Sequence, residues 1–320
     1  MSKTYLILGG TGLVGRALTR EYLKNGNQVK VLSRSSNHQD SKGLSFFSYD
    51  AKKLVFDYSI LQGVDVVIHT AGEPIFDRSW KNEEVRKELL NSRANLLKML
   101  IKACEETGFV IPQLTLASAV GYYGYHDDNP KRFNEDSRLM ASDLDFFPAK
   151  IIRLFERTAK NIEQHTDCLT ILRLGIVLSR NGGYYAKIRP SIKWYAGALL
   201  GDGISHIPFI HIDDLVRLFE FTEGKPGIFN AVCPEDLSNK KFNFLLNKYL
   251  NRYPVIPQIS SVFIRLIFGE KACLLLFGQS VEPKRTLEVG FEFLYPDLES
   301  CVKQLEAPAQ QQKDRAQASK

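Results

Sequence analysis

The sequence predicts an α/β protein built on a doubly wound parallel sheet, and three features support this fold class. The first two-thirds of the chain alternates short apolar runs with segments of helical periodicity. A glycine-rich turn, residues 9–15, directly follows the first apolar run. Beyond residue 224 the pattern becomes mostly helical. Alternating strands and helices are typical of parallel strands that are joined by right-handed helical crossovers.

The individual elements follow from hydrophobic periodicity and from turn residues. Strands are predicted over Thr4–Leu8, Gln28–Ser33, Val64–Thr70, Leu114–Ser118, Leu169–Leu174 and Ser205–Ile212. Helices are predicted between them over Ala17–Lys24, Glu83–Glu106 and Phe147–Glu156. The C-terminal part is predicted to hold helices over Lys240–Leu250, Val262–Phe268, Ala272–Phe277 and Leu298–Leu305, with short strands over Gly227–Ala231 and Phe291–Phe293.

These elements divide the chain into three parts. We expect a cofactor-binding domain over residues 1–224, with an insertion near residues 180–204. A smaller, mostly helical region over residues 225–306 is expected to form the substrate or lid region. Residues 307–320 are polar and rich in Gln, Lys and Ala, which predicts a disordered tail.

Composition excludes several classes of protein. The chain has 320 residues, is 44% hydrophobic and carries a net charge of +6. The basic residues are scattered, so nucleic-acid binding is not expected. No apolar run has transmembrane length, and the N-terminus lacks the pattern of a signal peptide, so we expect a cytoplasmic protein without membrane association.

The five cysteines also point to a reducing compartment. They are far apart, odd in number and never form a C-x-x-C pair. This spacing argues against a disulfide framework and against a thiolate metal site. No other spacing of potential ligands in the sequence predicts a metal site.

The glycine-rich turn reads Gly9-Gly10-Thr11-Gly12-Leu13-Val14-Gly15. It lies between a predicted strand and a predicted helix, which is the context that a dinucleotide-binding Rossmann fold requires. Gly9 would allow the tight turn, Gly12 the approach of the pyrophosphate, and Gly15 the close packing of helix on strand. The free N–H groups at the helix N-terminus would face the phosphates.

The end of the second strand favours NADP(H) over NAD(H). NAD-binding folds usually place an Asp or Glu there to hold the ribose 2′-hydroxyl. In this chain the strand ends in Ser33-Arg34, and no carboxylate occurs between Glu21 and Asp40. An Arg can bind a 2′-phosphate through charge-assisted hydrogen bonds.

Arg93 interrupts the apolar stripe of the long helix, between Leu89 and Leu96. A buried guanidinium needs an anionic partner. Two partners are open at this stage: a phosphate or ribose of the cofactor, or the nearby Glu88 in an internal ion pair.

Several motifs resemble those of a known family. They are the glycine turn, Ala71-Gly72-Glu73-Pro74-Ile75, Ser118-Ala119-Val120-Gly121-Tyr122-Tyr123-Gly124, Arg173-Leu174-Gly175-Ile176-Val177-Leu178, Ile210-His211-Ile212-Asp213-Asp214-Leu215 and Pro283-Lys284-Arg285. Together they resemble the NAD-dependent epimerase/dehydratase group of extended short-chain dehydrogenase/reductase proteins. The finer resemblance is to its "epimerase family protein" branch, which carries a characteristic C-terminal domain.

The resemblance covers nearly the whole chain up to about residue 305 and implies a set of cofactor contacts. These are Thr11, Gly12, Leu13, Val14, Ser33, Arg34, Thr70, Ala71, Glu88, Arg93 and Val177. It implies a small-molecule substrate without naming it. The oligomeric state is left open, with a homodimer as one alternative.

The usual catalytic pair of short-chain dehydrogenases is missing from its expected place. Those enzymes use a Tyr-x-x-x-Lys pair for proton transfer, with an upstream Ser that orients the substrate oxygen. Alignment on Glu156 puts Pro148 at the Tyr position and Ile152 at the Lys position, and neither can transfer a proton. Ser118 ends a strand where the Ser is expected.

Substitutes for the pair can be sought among nearby polar side chains. Tyr122 and Tyr123 follow Ser118 and are the candidate proton donors, with half-buried structural aromatics as the alternative interpretation. Lys150 could reach the ribose and Glu73 could face the nicotinamide. The alternative interpretations are a surface lysine and a cap of local backbone respectively. His211 before Asp213 is interpreted as a structural residue at a helix start, with Asp213 as a cap or first-turn acid.

Three functional hypotheses follow. The first is an NADP(H)-dependent oxidoreductase with an atypical active site. The second is an NADP(H)-responsive binding or regulatory protein with little catalysis, which the missing pair favours. The third, a nucleotide-sugar epimerase, is disfavoured because its chemistry relies on the same pair.

Overall fold

A computed structural model of the chain describes residues 2–34, 38–50, 55–125, 132–139 and 146–307. Beyond residue 307, the predicted disordered tail lies outside the described residues.

The strands and helices have the following bounds. The strands are β1 (Thr4–Leu8), β2 (Gln28–Ser33), β3 (Leu44–Asp50), β4 (Val55–Phe56), β5 (Val66–His69), β6 (Gln113–Ala119), β7 (Arg132–Phe133), β8 (Leu169–Leu174), β9 (Ile176–Leu178), β10 (Leu199–Leu200), β11 (Phe209–His211), β12 (Gly227–Ala231), β13 (Gln258–Ile259) and β14 (Ser280–Val281). The α-helices are α1 (Leu13–Lys24), α2 (Glu83–Thr107), α3 (Phe147–Lys160), α4 (Gly183–Lys193), α5 (Ile212–Phe221), α6 (Asn239–Tyr249), α7 (Ser261–Phe268), α8 (Cys273–Leu276), α9 (Lys284–Glu288) and α10 (Leu298–Glu306).

The main sheet has eight strands in the order β12-β8-β6-β5-β1-β2-β3-β4. Its strand pairs are parallel except β3 with β4. The chain order reverses between β1 and β5, which is the topological switch point where doubly wound sheets bind ligands. The predicted fold class, a Rossmann-type doubly wound sheet, is confirmed.

Helices cover both faces of this sheet because its strands are apolar on both sides. Buried Leu97 of α2 and Phe155 of α3 pack with Leu6 and Leu116 on one face. Buried Leu18 of α1 and Leu215 of α5 pack with strand residues such as Ile7 on the other face. Apolar burial on both faces excludes water from the strands and holds their carboxyl ends at one edge.

Helix α2 has clear sequence signals at both ends. The Asn82 side chain caps its N-terminus by accepting a hydrogen bond of 2.8 Å from the backbone N–H of Glu84. Two acids in its first turn, Glu83 and Glu84, complement the helix dipole. The helix ends at Gly108, whose φ of +69° is the left-handed conformation that favours glycine.

The insertion and the C-terminal region share one apolar core. Tyr185 and Ile192 of α4 pack with Phe242 of α6 and with Val302 of α10. Strand β12 pairs with β8 in the main sheet, so the sheet continues past the predicted boundary at residue 224. The region that was expected to be a lid is thereby attached to the sheet through β12.

The predicted strand over Phe291–Phe293 is wrong. The N–H groups that follow it, of Leu294 and Tyr295, donate to the buried carboxylate of Asp214 at 2.8 and 2.9 Å. The carbonyl of Glu292 accepts from Arg217 at 2.8 Å. These side chains satisfy the backbone, so the segment packs on the core without a strand partner.

Among the residues that the structure describes, no helix is both long and apolar enough to cross a bilayer.

His211 joins the start of α5 to the C-terminal helix α10. Its Nδ1 accepts a hydrogen bond of 3.1 Å from the N–H of Asp213, and its Nε2 lies 2.9 Å from Oε1 of Gln304. The ring is therefore neutral, with its hydrogen on Nε2. Its predicted structural role at the helix start is confirmed, with Asp213 in the first turn.

Acid should weaken the fold through His211. Burial lowers the pKa of this imidazole to about 4 from 6.5. The unfolded chain takes up the proton below pH 6.5, so this contribution to the free energy of unfolding falls as the pH drops from 6.5 towards 4, by roughly 2 kcal/mol at pH 5. In urea titrations, His211→Asn should shrink the loss of stability between pH 7 and pH 5 by about that amount. An unchanged pH dependence would contradict the neutral, buried state of His211.

Candidate functional site

The glycine turn forms a tight connection between β1 and α1. Gly9 has a φ of +86°, and a Cβ added there would lie 2.6 Å from the backbone of Ala71. A Cβ added to Gly15 would lie 2.5 Å from the carbonyl oxygen of Gly9. Both glycines are therefore required by the close approach of backbone to backbone. Gly12 is exposed at the helix start, and a Cβ added there would lie 3.3 Å from the carbonyl oxygen of Gly9.

The N-terminus of α1 is open to an anion. Gly12 is its N-cap residue, no side chain caps the first N–H groups, and its first turn holds no acid. Thr11 lies just before the helix, where its carbonyl oxygen accepts a hydrogen bond of 2.6 Å from Arg16. Leu13 faces Gly182 and Gly183 at the start of α4. The turn thus presents a positive dipole end beside the insertion.

A cavity of about 220 Å³ lies over the carboxyl ends of the strands, beside this turn. Its lining includes five of the predicted cofactor residues and one predicted catalytic residue, namely Val14, Thr70, Ala71, Arg93, Val177 and Ser118. Thr70 donates through Oγ1 to the carbonyl oxygens of Leu8 and Gly9 at 3.2 and 3.3 Å, which ties the end of β5 to the turn. The structure therefore brings these residues together at one site.

Arg93 is the cation of this cavity. Its Nη2 donates to the carbonyl oxygen of Glu73 at 3.3 Å, while its buried Nη1 has no hydrogen-bond partner among the described residues. Gly72 makes room for the guanidinium, since a Cβ there would lie 2.6 Å from its Cζ. Burial lowers the pKa of Arg93, which means that the charge lacks full compensation. An anionic ligand in the cavity would supply that compensation.

Glu88 does not pair with Arg93 in the structure. Its carboxylate instead accepts from Arg78 at 2.5 Å, and it lies outside the cavity lining. Arg78 also bonds Glu73, whose other oxygen lies 3.0 Å from Nη1 of Arg34. These four side chains form a chain of alternating charges along one rim of the site, and Glu73 is its central acid rather than a local backbone cap.

Arg34 lies at the end of β2, next to the buried Ser33. Its side chain is 66% exposed, although one of its nitrogens is bonded to Glu73. A guanidinium has five N–H donors, so the remaining ones can bind a second anion.

Two of the predicted catalytic residues, Ser118 and Tyr123, belong to a buried polar network. Ser118 Oγ donates to Oε1 of Glu156 at 2.5 Å. Arg173 binds the same carboxylate through Nε at 3.0 Å and Nη2 at 2.7 Å. Its Nη1 donates to the hydroxyl of Tyr123 at 3.0 Å, and this hydroxyl donates to Oδ1 of Asn230 at 2.9 Å. The network joins β6, α3, β8 and β12.

Tyr122 and Tyr123 have different surroundings. Tyr123 is fully buried, and burial raises the pKa of its phenol although Arg173 and Asn230 act to lower it. Its hydroxyl is used within the protein. Tyr122 is only partly buried, and its ring lies 3.4 Å from the guanidinium carbon of Arg173 in a cation–π contact.

Helix α3 brings apolar residues to the positions where sequence reasoning looked for the catalytic pair. Pro148 is buried in the first turn of α3. Ile152 is 4% exposed and lines the cavity of about 220 Å³. Lys150, between them, is exposed on the outer side of the helix.

A second, larger cavity of about 400 Å³ adjoins the first. Ala119 and Val177 line the smaller cavity, whereas their chain neighbours Val120 and Ile176 line the larger one. Its other walls come from Tyr125 and from residues 184–208, 239–243 and 274–279. The last two ranges lie in the expected substrate region, residues 225–306, and the first overlaps the insertion near residues 180–204.

His206 at the larger cavity was missed by sequence reasoning. Its Nδ1 lies 2.6 Å from Oδ1 of Asp236, and Asp236 accepts from Ser280 at 2.7 Å. Burial acts to raise the pKa of Asp236, but hydrogen bonds from His206 and Ser280 outweigh it and lower that pKa. The His and the Asp are 30 residues apart in the chain, and no local motif signals the pair.

Comparison with known proteins identifies the family. A sequence model of the "NAD dependent epimerase/dehydratase family" matches residues 5–230, which is most of the chain. The chain belongs to this family. A second match, to a domain of unknown function (DUF1731), covers residues 259–305. The predicted resemblance to the epimerase/dehydratase family with a characteristic C-terminal domain is confirmed.

Two curated relatives of the epimerase/dehydratase family match over nearly their full length. The mouse "Epimerase family protein SDR39U1" is 33% identical over 308 residues, covering 94% of this chain and 99% of the mouse protein. "Epimerase family protein SAR0825" of Staphylococcus aureus strain MRSA252 is 29% identical, with 95% and 99% covered.

Two solved structures of family members also resemble the chain. Human SDR39U1 (isoform2), crystallised with NADPH, has a TM-score of 0.79 and 28% identity, covering 94% of this chain and 98% of the human one. A nucleoside-diphosphate sugar epimerase from Corynebacterium glutamicum has a TM-score of 0.71 and 28% identity. That match covers 99% of this chain but 62% of the Corynebacterium chain.

Breaking the buried pair of Glu156 and Arg173 should be costly. Glu156→Gln would leave the guanidinium without a compensating charge, so we expect a loss of about 3 to 5 kcal/mol in the free energy of unfolding. Ser118→Ala removes one neutral donor from the same carboxylate and serves as the control, with an expected loss of about 1 kcal/mol. Chemical denaturation of both variants measures the two losses. Equal losses would contradict the importance of the ion pair.

Proposed function

We propose that this chain is an NADP(H)-dependent oxidoreductase of the epimerase/dehydratase family that acts on a small molecule without the usual Tyr-x-x-x-Lys pair. The observation that carries the proposal is the buried, incompletely paired guanidinium of Arg93 in a cavity beside an uncapped helix N-terminus. Both features favour an anionic ligand, and they lie where a doubly wound sheet binds a dinucleotide.

The residues present fit NADP(H). The N-terminus of α1, from Gly12 to Val14, would hold the pyrophosphate, and Arg93 would compensate negative charge in the cavity. Arg34 would bind the 2′-phosphate with the donors that Glu73 does not use, and the buried Ser33 contributes no competing carboxylate. The NADPH bound to the human relative supports the same choice.

The order of the strands gives the cofactor its direction along the sheet. Arg34 follows β2, on one side of the switch point. Ser118 lies at the end of β6, and Val177 lies in β9, just after β8, on the other side. A dinucleotide spans the switch point, so its 2′-phosphate end would lie near Arg34 and its nicotinamide end near Ser118. The bound cofactor would supply hydride chemistry at that second end.

The side chains near the expected nicotinamide end limit which groups could transfer a proton there. Ser118 lines the smaller cavity together with Thr70 and Arg93, and its hydroxyl is oriented by Glu156. Ile152 excludes water there rather than transferring a proton. Tyr122 is the tyrosine of this segment that keeps some exposure, so we retain it as a candidate proton donor and assign Tyr123 to the supporting network.

A regulatory protein that binds NADP(H) and catalyses little is the second candidate. The engaged hydroxyls of Ser118 and Tyr123 favour it, because both are used in the network with Glu156 and Arg173. A nucleotide-sugar epimerase is the third and is disfavoured for lack of the pair. A cytoplasmic location and a homodimer stay predictions.

Cofactor choice can be tested at Arg34. Arg34→Ala should weaken NADPH binding by about tenfold or more while changing NADH binding by no more than about twofold, because only NADPH carries the 2′-phosphate. Arg34→Lys, which keeps the charge but loses the planar guanidinium, is the control. Its affinity for NADPH should lie between that of the unaltered chain and that of Arg34→Ala. NADPH and NADH fluorescence on titration with protein measures both affinities. Tighter binding of NADH than NADPH by the unaltered chain would refute the assignment.

Catalysis can be tested at Ser118 and Tyr122. With a panel of carbonyl compounds and NADPH, Ser118→Ala and Tyr122→Phe should each lower kcat by about 100-fold while NADPH still binds. Turnover is measured as the loss of NADPH fluorescence. If the unaltered chain binds NADPH but no carbonyl compound accelerates its oxidation, the regulatory hypothesis replaces the enzymatic one.

A further inference from the structure

The wall of the larger cavity carries few polar groups. Its volume of about 400 Å³ is in the range of small-molecule binding pockets. Most of its lining is apolar, including Ile188, Ile192 and Leu275. Within the described part of the chain, no Asp, Glu, Lys or Arg lines it. Its polar lining residues apart from tyrosines are Ser191, Ser205, His206, Asn239, Asn243 and Gln279.

The tyrosines of this wall also stay neutral. Tyr125 and Tyr184 line the cavity, and burial raises the pKa of both phenols, that of Tyr184 to about 12. Neither phenol therefore adds a negative charge near neutral pH.

Basic side chains of α4 form ion pairs with carboxylates outside the cavity lining. Arg189 and Lys193 pair with Glu306, at 2.5 and 3.6 Å, and Lys187 pairs with Asp77 at 3.3 Å. The residues of the same helix that line the cavity are Ile188, Ser191 and Ile192, together with Tyr184. Helix α4 thus presents its uncharged face to the cavity and its charged face to carboxylates outside the lining.

The helix N-terminus at the cavity cannot replace these cations. Asn239, the first residue of α6, donates its N–H to the carbonyl of Ser205 at 2.6 Å. The next N–H, of Lys240, donates to Gly203 at 2.9 Å, and that of Lys241 donates to the side chain of Ser238. These donors are already satisfied within the protein, so they do not form a phosphate site.

We infer that the substrate of the larger cavity is an uncharged, largely apolar carbonyl compound or the corresponding alcohol, and not a nucleoside-diphosphate sugar. A diphosphate would lose its hydration here without gaining a lysine or arginine of the lining or a free N–H group at the start of α6. Apolar atoms would instead bury surface against Ile188, Ile192 and Leu275, and the few polar side chains would orient the oxygen.

This inference rests on the proposed function, because the two cavities adjoin where the nicotinamide end is expected. In the reducing direction the carbonyl carbon would receive a hydride and its oxygen a proton. The ketone would thereby become an alcohol while NADPH becomes NADP⁺, which balances the two electrons.

The test is calorimetric titration of methyl alkyl ketones of increasing chain length, and of UDP-glucose, into the full chain with and without saturating NADP⁺. The oxidised cofactor prevents turnover, so only binding is measured. Each added methylene should tighten ketone binding by up to about fourfold until the cavity is full. UDP-glucose should not compete with the longest ketone that binds.

Variants at Ile188 add a matched control. Ile188→Lys places a charge at the cavity wall and should weaken binding of that ketone at least about tenfold, whereas Ile188→Met, similar in length but neutral, should stay within about threefold. Competition by UDP-glucose, an affinity independent of chain length, or equal effects of the two variants would each overturn the inference. If NADP⁺ does not bind but the ketone series behaves as expected, the proposed function fails and the cavity assignment stands.

Discussion

The ion pair between Glu156 and Arg173 is the interaction on which the rest of the site depends. It is nearly inaccessible to solvent, with 8% and 3% of the two side chains exposed. Burial acts to lower the pKa of Arg173, but the bonds to Glu156 and Tyr123 outweigh it and raise that pKa. Such a pair offsets its desolvation only with good geometry and further hydrogen bonds, and Ser118 and Tyr123 provide them. It fixes β6, β8 and α3 relative to one another at the edge where both cavities open.

The same pair engages groups that sequence reasoning considered for catalysis. Ser118 donates to Glu156, Tyr123 accepts from Arg173, and Arg173 also stacks on Tyr122. The incompletely compensated charge is on Arg93, at the cofactor end. The site is thus electrostatically suited to an anion at one cavity and to an uncharged molecule at the other, and the shared wall at Ala119 and Val120 separates the two environments.

Sequence reasoning succeeded where the determining residues are neighbours in the chain. The glycine turn, β1 and α1 follow from adjacent residues, and the defect in the apolar stripe pointed to Arg93, whose Nη1 is buried. Sequence reasoning failed where the interacting residues are far apart in the chain. Glu73 reaches Arg34 across 39 residues, and His206 meets Asp236 across 30. The segment at Phe291 has strand composition, yet the buried carboxylate of Asp214, far away in sequence, satisfies the backbone that follows it.

The shared core of α4, α6 and α10 has a consequence for biosynthesis. Helix α4 is translated more than a hundred residues before α10, which supplies Val302 and Leu305 to the same core. Until the C-terminal helix leaves the ribosome, the apolar face of α4 lacks part of its cover, and Glu306 is not there to pair with Arg189. The core that α4 shares with α6 and α10 is therefore completed only once residues 298–306 have emerged.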